Sequence, residues 1–289
     1  YTNSQNSGVV DDIKNERYSK GYITTNRPKG EMGKDLNRET WLRKIHAWKE
    51  PITIIGTTSW ISECAKNSKI MKDWPNFVIP YPINLNDWSP INKKLARSIL
   101  DIPVDLPLIL FGAIGGTNDP RKGADLLFSS LEILRKEIKD TPLESLQLAV
   151  FGERQPEIKK ETNFPINWLG NFQDDLSLRL IYSAADVMVV PSRQESFGQT
   201  ASESQACGTP VVAFRTGGLT DVIAHKETGY LADPFNPYSL ARAIRWVIES
   251  PERNSALGEN ARNRAVELWD PYKIAKLYAK YYKGIIQGL

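Results

Sequence analysis

The sequence is poor in the residues that hold metals and staple small folds. Cys64 and Cys207 are its only thiols, and His46 and His225 its only imidazoles, in a chain of 289 residues. Each cysteine falls in a helix-compatible run, which excludes a disulfide framework and makes a reducing cytosol the default compartment. The histidines are isolated and no Asp-x-Asp pair follows a strand pattern, so no metal site is expected. No apolar run approaches a membrane span and no signal-peptide pattern is present. Charge is nearly balanced, with 37 Lys and Arg against 34 Asp and Glu for a net +3. That balance is too small to argue for nucleic acid. It suits an anionic small ligand and leaves peripheral association with an anionic membrane surface open. No internal repeat or low-complexity tract occurs. The first residue is Tyr1 rather than Met, which reads as a piece of a longer chain.

What is present is organised around PSRQESFGQTASESQACGTPVV, residues 191–212. The apolar run 187–190 ends at Pro191 and reads as a buried parallel strand. A polar loop, 192–198, leads into a helix over 199–207, which Gly208 and Pro210 stop. The next strand is 211–214. The loop therefore lies at the carboxyl end of a strand, the edge where open α/β sheets bind ligands. The helix after Gly198 presents free N–H groups, so the amides of Phe197, Gly198 and Gln199, with Thr200 next in line, form an anion site. Glu195 and Glu203 bracket it. Carboxylates repel a phosphate, but an ionised carboxylate accepts from sugar hydroxyls. The pattern fits a ligand that runs sugar, phosphate, sugar.

These residues resemble the E-x7-E signature of retaining GT-B glycosyltransferases, especially glycosyltransferase family 4. The resemblance rests on Pro191, Ser192, Glu195, Phe197, Gly198, Glu203, Gly208, Pro210, Val211, Val212, Gly217 and Gly218. It implies an α/β fold of GT-B type, with a Rossmann-like doubly wound parallel sheet as the donor domain. It implies a nucleotide-sugar donor, no metal, and a glycan, lipid-linked or small acceptor. Glu203 is expected at the ribose and Glu195 at the transferred sugar. In that arrangement Glu195→Gln leaves the affinity for free nucleotide diphosphate nearly unchanged, because that product carries no transferred sugar.

Along the chain, residues 1–36 are polar and loop-rich. Leu36, Trp41, Leu42, Ile45 and Trp48 place an apolar stripe on a helix over 35–50. His46 adjoins the stripe and matches no motif, so a structural role is preferred. A strand at 52–59 runs into a helix through Ser68, and a proline-marked connector follows at 77–90. A βαβ rhythm then sets in: helix 92–100, strand 106–113, helix 124–138, strands 146–152 and 166–172, helix 174–184. Beyond the E-x7-E unit come a short helix at 219–223, a strand at 228–233, and helices at 237–249 and 251–268. The final helix, 272–287, carries an apolar stripe (Ile274, Leu277, Tyr278, Tyr281, Tyr282, Ile285), for which packing on protein is the commoner explanation than a membrane surface.

The expected organisation is an incomplete N-terminal, acceptor-side domain over 1–84 and a nucleotide-sugar-binding domain over 85–271. By the resemblance, the helix 272–289 crosses back to the first domain. The GGTNDPRKG stretch follows strand 106–113. There Gly115 and Gly116 allow close backbone approach, and Arg121 and Lys122 can neutralise a diphosphate and stabilise the departing charge. Family members carry an Arg near Gly116; here that position is Gly, and Arg121 is expected to take over. The resemblance also places Gly170, Asn171 and Phe172 beside the nucleobase, although Phe172 fits a core position equally. His225 lies in a turn and reads as structural. Alternatives from other classes are a fragment that binds nucleotide-sugar without turnover and a GT-B-fold epimerase or phosphorylase. A pyridoxal-type phosphorylase needs a Schiff-base lysine, to which no motif points.

Overall fold

The computed structural model describes residues 17–112, 117, 119–153, 164–172 and 174–287. The chain divides into two units, Tyr1–Ile79 and Pro80–Leu289. The boundary falls a few residues before the expected 84/85. Ile83 is buried in the second unit's core, and its N–H donates to Trp269 O at 2.8 Å.

The first unit contains α1 (Arg17–Lys20), α2 (Leu36–Ala47), β1 (Ile54–Gly56), α3 (Ser59–Asn67) and β2 (Asn76–Val78). β1 and β2 pair in parallel. Thr58 caps α3 by accepting from Ile61 N, as a Ser/Thr N-cap should. The stripe on α2 is formed and largely exposed, with Trp41 alone half-buried, against Tyr22. Leu36, Leu42, Ile45 and Trp48 are all exposed, and Asn37 is the buried residue of that helix.

The second unit carries α4 (Lys93–Ile99), β3 (Leu108–Gly112), α5 (Ala124–Glu137), β4 (Gln147–Phe151), β5 (Ile166–Gly170), α6 (Asp175–Ala184) and β6 (Val187–Val190). It continues with α7 (Gln199–Ala206), β7 (Val211–Phe214), α8 (Leu219–Val222), β8 (Gly229–Ala232), α9 (Pro237–Ile248), α10 (Pro251–Leu268) and α11 (Pro271–Gln287). The strands form one parallel sheet in the order β5-β4-β3-β6-β7-β8. The chain thus starts in the middle, winds outward on one side through β4 and β5, and returns to wind outward on the other. The reversal lies between β3 and β6, and at such a switch point the two outgoing loops diverge and leave a crevice.

Alternate residues of each strand enter two separate cores, as the twofold strand period requires. Leu108, Leu110, Met188, Val190, Val211 and Ala213 pack on one face. Ile109, Phe111, Val187, Val189, Val212 and Phe214 pack on the other. Burial on both faces is why these strands read as continuous apolar runs.

At the amino edge of the sheet, Arg97 is buried and donates to Ala184 O, Val104 O, Leu106 O and Asp186 Oδ2. Asp186 also accepts from Leu108 N and pairs with Lys93 at 2.6 Å. These charges hold elements together at the edge away from the crevice. On α11 the expected packing is met in part: Ile274 is buried and Tyr278 and Tyr281 are half-buried, while Leu277, Tyr282 and Ile285 are exposed. Periodicity on this helix reports an apolar face, not the surface that would cover it. Among the described residues, no helix is long and apolar enough to cross a membrane.

Candidate functional site

Three loops meet at the carboxyl ends of β3, β6 and β7. The first, after β3, closes with a 3-10 turn, Pro120–Lys122, ended by Gly123 in the left-handed region at φ +69°. A Cβ on Gly123 would lie 2.0 Å from Pro191 O. Only glycine lets this loop lie against the start of the loop after β6. The contact is reinforced by Arg193, whose N–H donates to Arg121 O at 2.8 Å. Its guanidinium donates to Pro120 O at 2.6 Å and forms a two-pronged pair with Asp125 at 2.8 and 2.6 Å.

The third loop, after β7, grips Glu195, which belongs to the loop after β6. Gly218 N donates to Glu195 O at 2.8 Å, and Gly217, at φ +55°, would place a Cβ 2.5 Å from that same oxygen. The GG turn after β7 is therefore a backbone clasp on Glu195.

In this frame Lys122 and Glu195, 73 residues apart, form an ion pair of 2.6 Å. The same carboxylate oxygen accepts from Ser192 Oγ at 2.9 Å. Arg121 is directed elsewhere: its guanidinium pairs with Asp119 at 2.6 Å within its own turn. Thr117 donates from both its N–H and its hydroxyl to Glu153 Oε2, which ties the loop after β3 to the end of β4.

α7 begins at Gln199 behind Gly198, which sits at φ +90° and offers no side-chain cap. The helix has no acidic residue in its first turn, so no charge of its own offsets the positive end of its dipole. The ring of Phe197 is buried in the core, edge-on to Tyr81 and Trp269, which leaves its backbone and not its ring for any ligand contact. Glu203, on α7, accepts from Tyr182 OH at 2.9 Å. Burial raises its carboxyl to about 7, outweighing the hydrogen bond from Tyr182, which lowers it.

Gly170 ends β5 at φ +78° with open space where a Cβ would point. Asn171 is exposed, and Phe172 packs partly against the core. Gly115 and Gly116 lie outside the described residues. His46 is exposed. His225 Nδ1 accepts from Leu231 N at 3.1 Å, and its ring stands against Tyr230. Desolvation, then Arg215 and Lys226, lowers its pKa, so it closes a turn as the neutral ring. Among the described residues no cluster of His, Cys, Asp and Glu is placed to hold a metal ion.

The structure thus pairs Lys122 with Glu195, in the loop that leads through Gly198 into α7, while Arg121 is hydrogen-bonded to Asp119 and meets Glu195 only through its charge. Tyr182, Arg193 and Asp125 escape sequence reading. Tyr182 looks like any core aromatic. Asp125 looks like an ordinary acid in the first turn of a helix. Arg193 is a loop cation whose partner lies 68 residues away.

The profile of a family described as "Glycosyl transferases group 1" matches residues 93–264. The D-inositol 3-phosphate glycosyltransferase 2 of Catenulispora acidiphila is 33% identical over 202 residues, covering 63% of this chain and 44% of that protein. The chain spans about half the length of the curated relatives it matches. Among solved structures, sucrose-phosphate synthase from Thermosynechococcus elongatus superposes with a TM-score of 0.69 at 28% identity, over 89% of this chain and 65% of that one. Anabaena HepE in complex with UDP-glucose gives a TM-score of 0.67 at 18% identity, over 85% of this chain and 68% of that one, a likeness of fold. With the matched profile spanning the whole crevice-forming sheet, the chain belongs to the group 1 glycosyltransferase family and has the parallel α/β fold of the GT-B type.

Proposed function

We propose that this chain is the donor-binding part of a retaining glycosyltransferase that moves a sugar from a nucleotide-sugar to a glycan, lipid-linked or small acceptor. The observation that carries the reading is the juxtaposition of Lys122, Glu195 and the uncapped start of α7 at the switch point of the sheet. The amides of Phe197, Gly198, Gln199 and Thr200 take the diphosphate, and the helix dipole adds to their attraction. Glu203 takes the ribose hydroxyls, Glu195 the transferred sugar, and the backbone at Gly170 and Asn171 the base. Phe172, half on the core, adds its edge to the base end.

Lys122 is the cation that meets the charge developing on the leaving diphosphate, aided by Arg121 once that side chain leaves Asp119. With cations and amides in those places, transfer proceeds without a divalent metal. Contacts from Glu195 to hydroxyls orient the anomeric carbon, and orientation acts in the transition state more than in the ground state. Two buried thiols suit a cytoplasmic setting. That HepE was solved with UDP-glucose supports a nucleotide-sugar ligand in this fold.

The reading is tested by saturation-transfer NMR against UDP-, GDP-, ADP- and dTDP-sugars, with and without EDTA. Saturation of both base and sugar protons, unchanged by EDTA, is expected. Silence across the panel overturns it, and signals that need magnesium or manganese overturn metal independence. Donor binding without turnover in the presence of acceptors would favour the second reading, a binding unit that needs a further domain for catalysis.

A further inference from the structure

The ion pair between Lys122 and Glu195 assigns Glu195 a second task. We infer that Glu195 competes with the diphosphate for Lys122, so that the site favours an intact nucleotide-sugar over the free nucleotide diphosphate. The inference rests on the donor-binding reading given above.

The exchange is confined to side chains. Glu195 is fixed at its backbone by Gly217 and Gly218, and Lys122 by the turn that ends at Gly123 against Pro191. Both carboxylate and ammonium are largely withdrawn from water, with side chains 15% and 25% exposed. The Lys122 stem is flexible enough to swing its three N–H donors toward an anion on α7. When it does, Glu195 keeps the hydroxyl of Ser192 and loses its only hydrogen-bonded cation among the described residues, since Arg121, bound to Asp119, reaches it through space alone. A carboxylate is then left poorly solvated and without its ammonium partner, an arrangement that desolvation opposes.

An intact donor relieves that cost, because hydroxyls of the transferred sugar donate to Glu195 in place of the ammonium. A free nucleotide diphosphate brings no such hydroxyls. After transfer the sugar has left, Glu195 regains Lys122, and the product loses the cation that held it. Release of the nucleotide diphosphate is thereby coupled to completion of transfer.

With Lys122 on Glu195, Glu195→Gln no longer leaves free diphosphate binding unchanged, as the sequence alone implies. Calorimetry with UDP and UDP-glucose, and with GDP and GDP-mannose as a second pair, tests this on the wild type, Glu195→Gln, Lys122→Met and the double variant. Glu195→Gln should bind the free diphosphate about tenfold more tightly, the scale of coupling between contacting residues. Affinity for the sugar nucleotide relative to the free diphosphate should fall by about tenfold or more. In the Lys122→Met background, Glu195→Gln should change diphosphate affinity by less than about twofold.

A gain that persists without Lys122 is plain charge repulsion and overturns the competition. So does equal or weaker diphosphate binding in Glu195→Gln. Where Lys122→Met binds too weakly to measure, an unchanged ratio in Glu195→Gln overturns it as well. If the wild type binds these ligands and only the predicted gain is missing, the inference falls alone. If none of the four proteins binds either pair while all melt cooperatively, the donor-binding reading falls with it.

Discussion

Tyr182 donates its hydroxyl to Glu203 at 2.9 Å across the contact between α6 and α7, from a position with no solvent exposure. The tyrosine cannot readily give up its proton: desolvation, then the charge of Glu203, pushes its pKa well above the ordinary value. It is therefore a fixed donor. It occupies one lone pair of Glu203 and fixes the orientation of the carboxylate. The remaining accepting positions are those proposed for the ribose.

Glu203 should make stability and donor binding depend on pH in opposite directions. Its carboxyl ionises near 4.5 unfolded and about 7 folded, chiefly through burial. Between those values the native chain holds the extra proton, so stability falls as pH rises through the window. Above it, the ionised group costs on the order of 3 kcal/mol. Glu203→Gln should therefore melt higher than the wild type at pH 8 and equally at pH 4. Affinity for a sugar nucleotide, whose diphosphate does not titrate here, should rise about tenfold from pH 6 to 8 in the wild type as Glu203 ionises. Glu203→Gln should lose that rise. A melting difference that is the same at both pH values would refute the assignment.

Two left-handed glycines at the site should respond differently to alanine. Gly123 and Gly170 have φ of +69° and +78°. Each substitution carries the left-handed penalty of about 1–2 kcal/mol. At Gly170 nothing lies within 4 Å of a new Cβ, whereas at Gly123 it would meet Pro191 O at 2.0 Å. Gly170→Ala should stay near that penalty, and Gly123→Ala should exceed it by about 2 kcal/mol or more. Urea unfolding of both variants checks this, and equal losses would show that the loop contact yields freely.

The E-x7-E unit was legible because strong punctuation surrounds it. Pro191, Gly198, Gly208 and Pro210 mark every boundary from β6 to β7, and the observed elements fall within a residue or so of those marks. Glu195, Glu203 and Lys122 were legible as types of residue at meaningful positions. Their partners were not. Which loop faces which depends on the strand order, and a local pattern does not contain the order. The pairing of Lys122 with Glu195 and the diversion of Arg121 to Asp119 are consequences of that order and of one tight turn. The stripes on α2 and α11 show the complementary limit. Spacing predicts an amphipathic helix correctly, but says nothing of whether the apolar face is covered.

Asp186 should govern acid stability without touching the site. Its pKa is lowered: desolvation works the other way and is outweighed by Lys93 and Arg97 together with their hydrogen bonds. A group with a depressed folded pKa stabilises above its unfolded value and loses that contribution as pH falls through the folded one. Asp186→Asn should accordingly cost about 3 kcal/mol at pH 7, as for a buried pair that loses one partner, and less as pH falls below about 4. Denaturant midpoints at pH 7 and pH 3 measure both. A loss undiminished at pH 3 would assign the effect to packing instead of charge.

Arg193 should affect donor binding through the position of a loop. Its guanidinium spans Pro120 O and both oxygens of Asp125, while its own backbone donates to Arg121 O. The segment it grips carries Lys122; the segment it belongs to carries Glu195 and leads into α7. Asp125 is 62% exposed, so the pair adds less than about 1 kcal/mol to global stability. Its effect on relative loop position is larger, because a small displacement moves Lys122 against the helix amides. Arg193→Lys keeps the charge but loses the planar fork. It should weaken sugar-nucleotide binding about five- to tenfold with little change in melting temperature. Asp125→Ala should do the same, and the double variant should be no worse than either single one, since both remove one clamp. A cation that touched the ligand itself would behave otherwise: freeing Arg193 from Asp125 would leave binding intact or strengthen it. Wild-type affinity in Asp125→Ala, beside a weakened Arg193→Lys, would therefore assign the guanidinium to the donor and not to the loop.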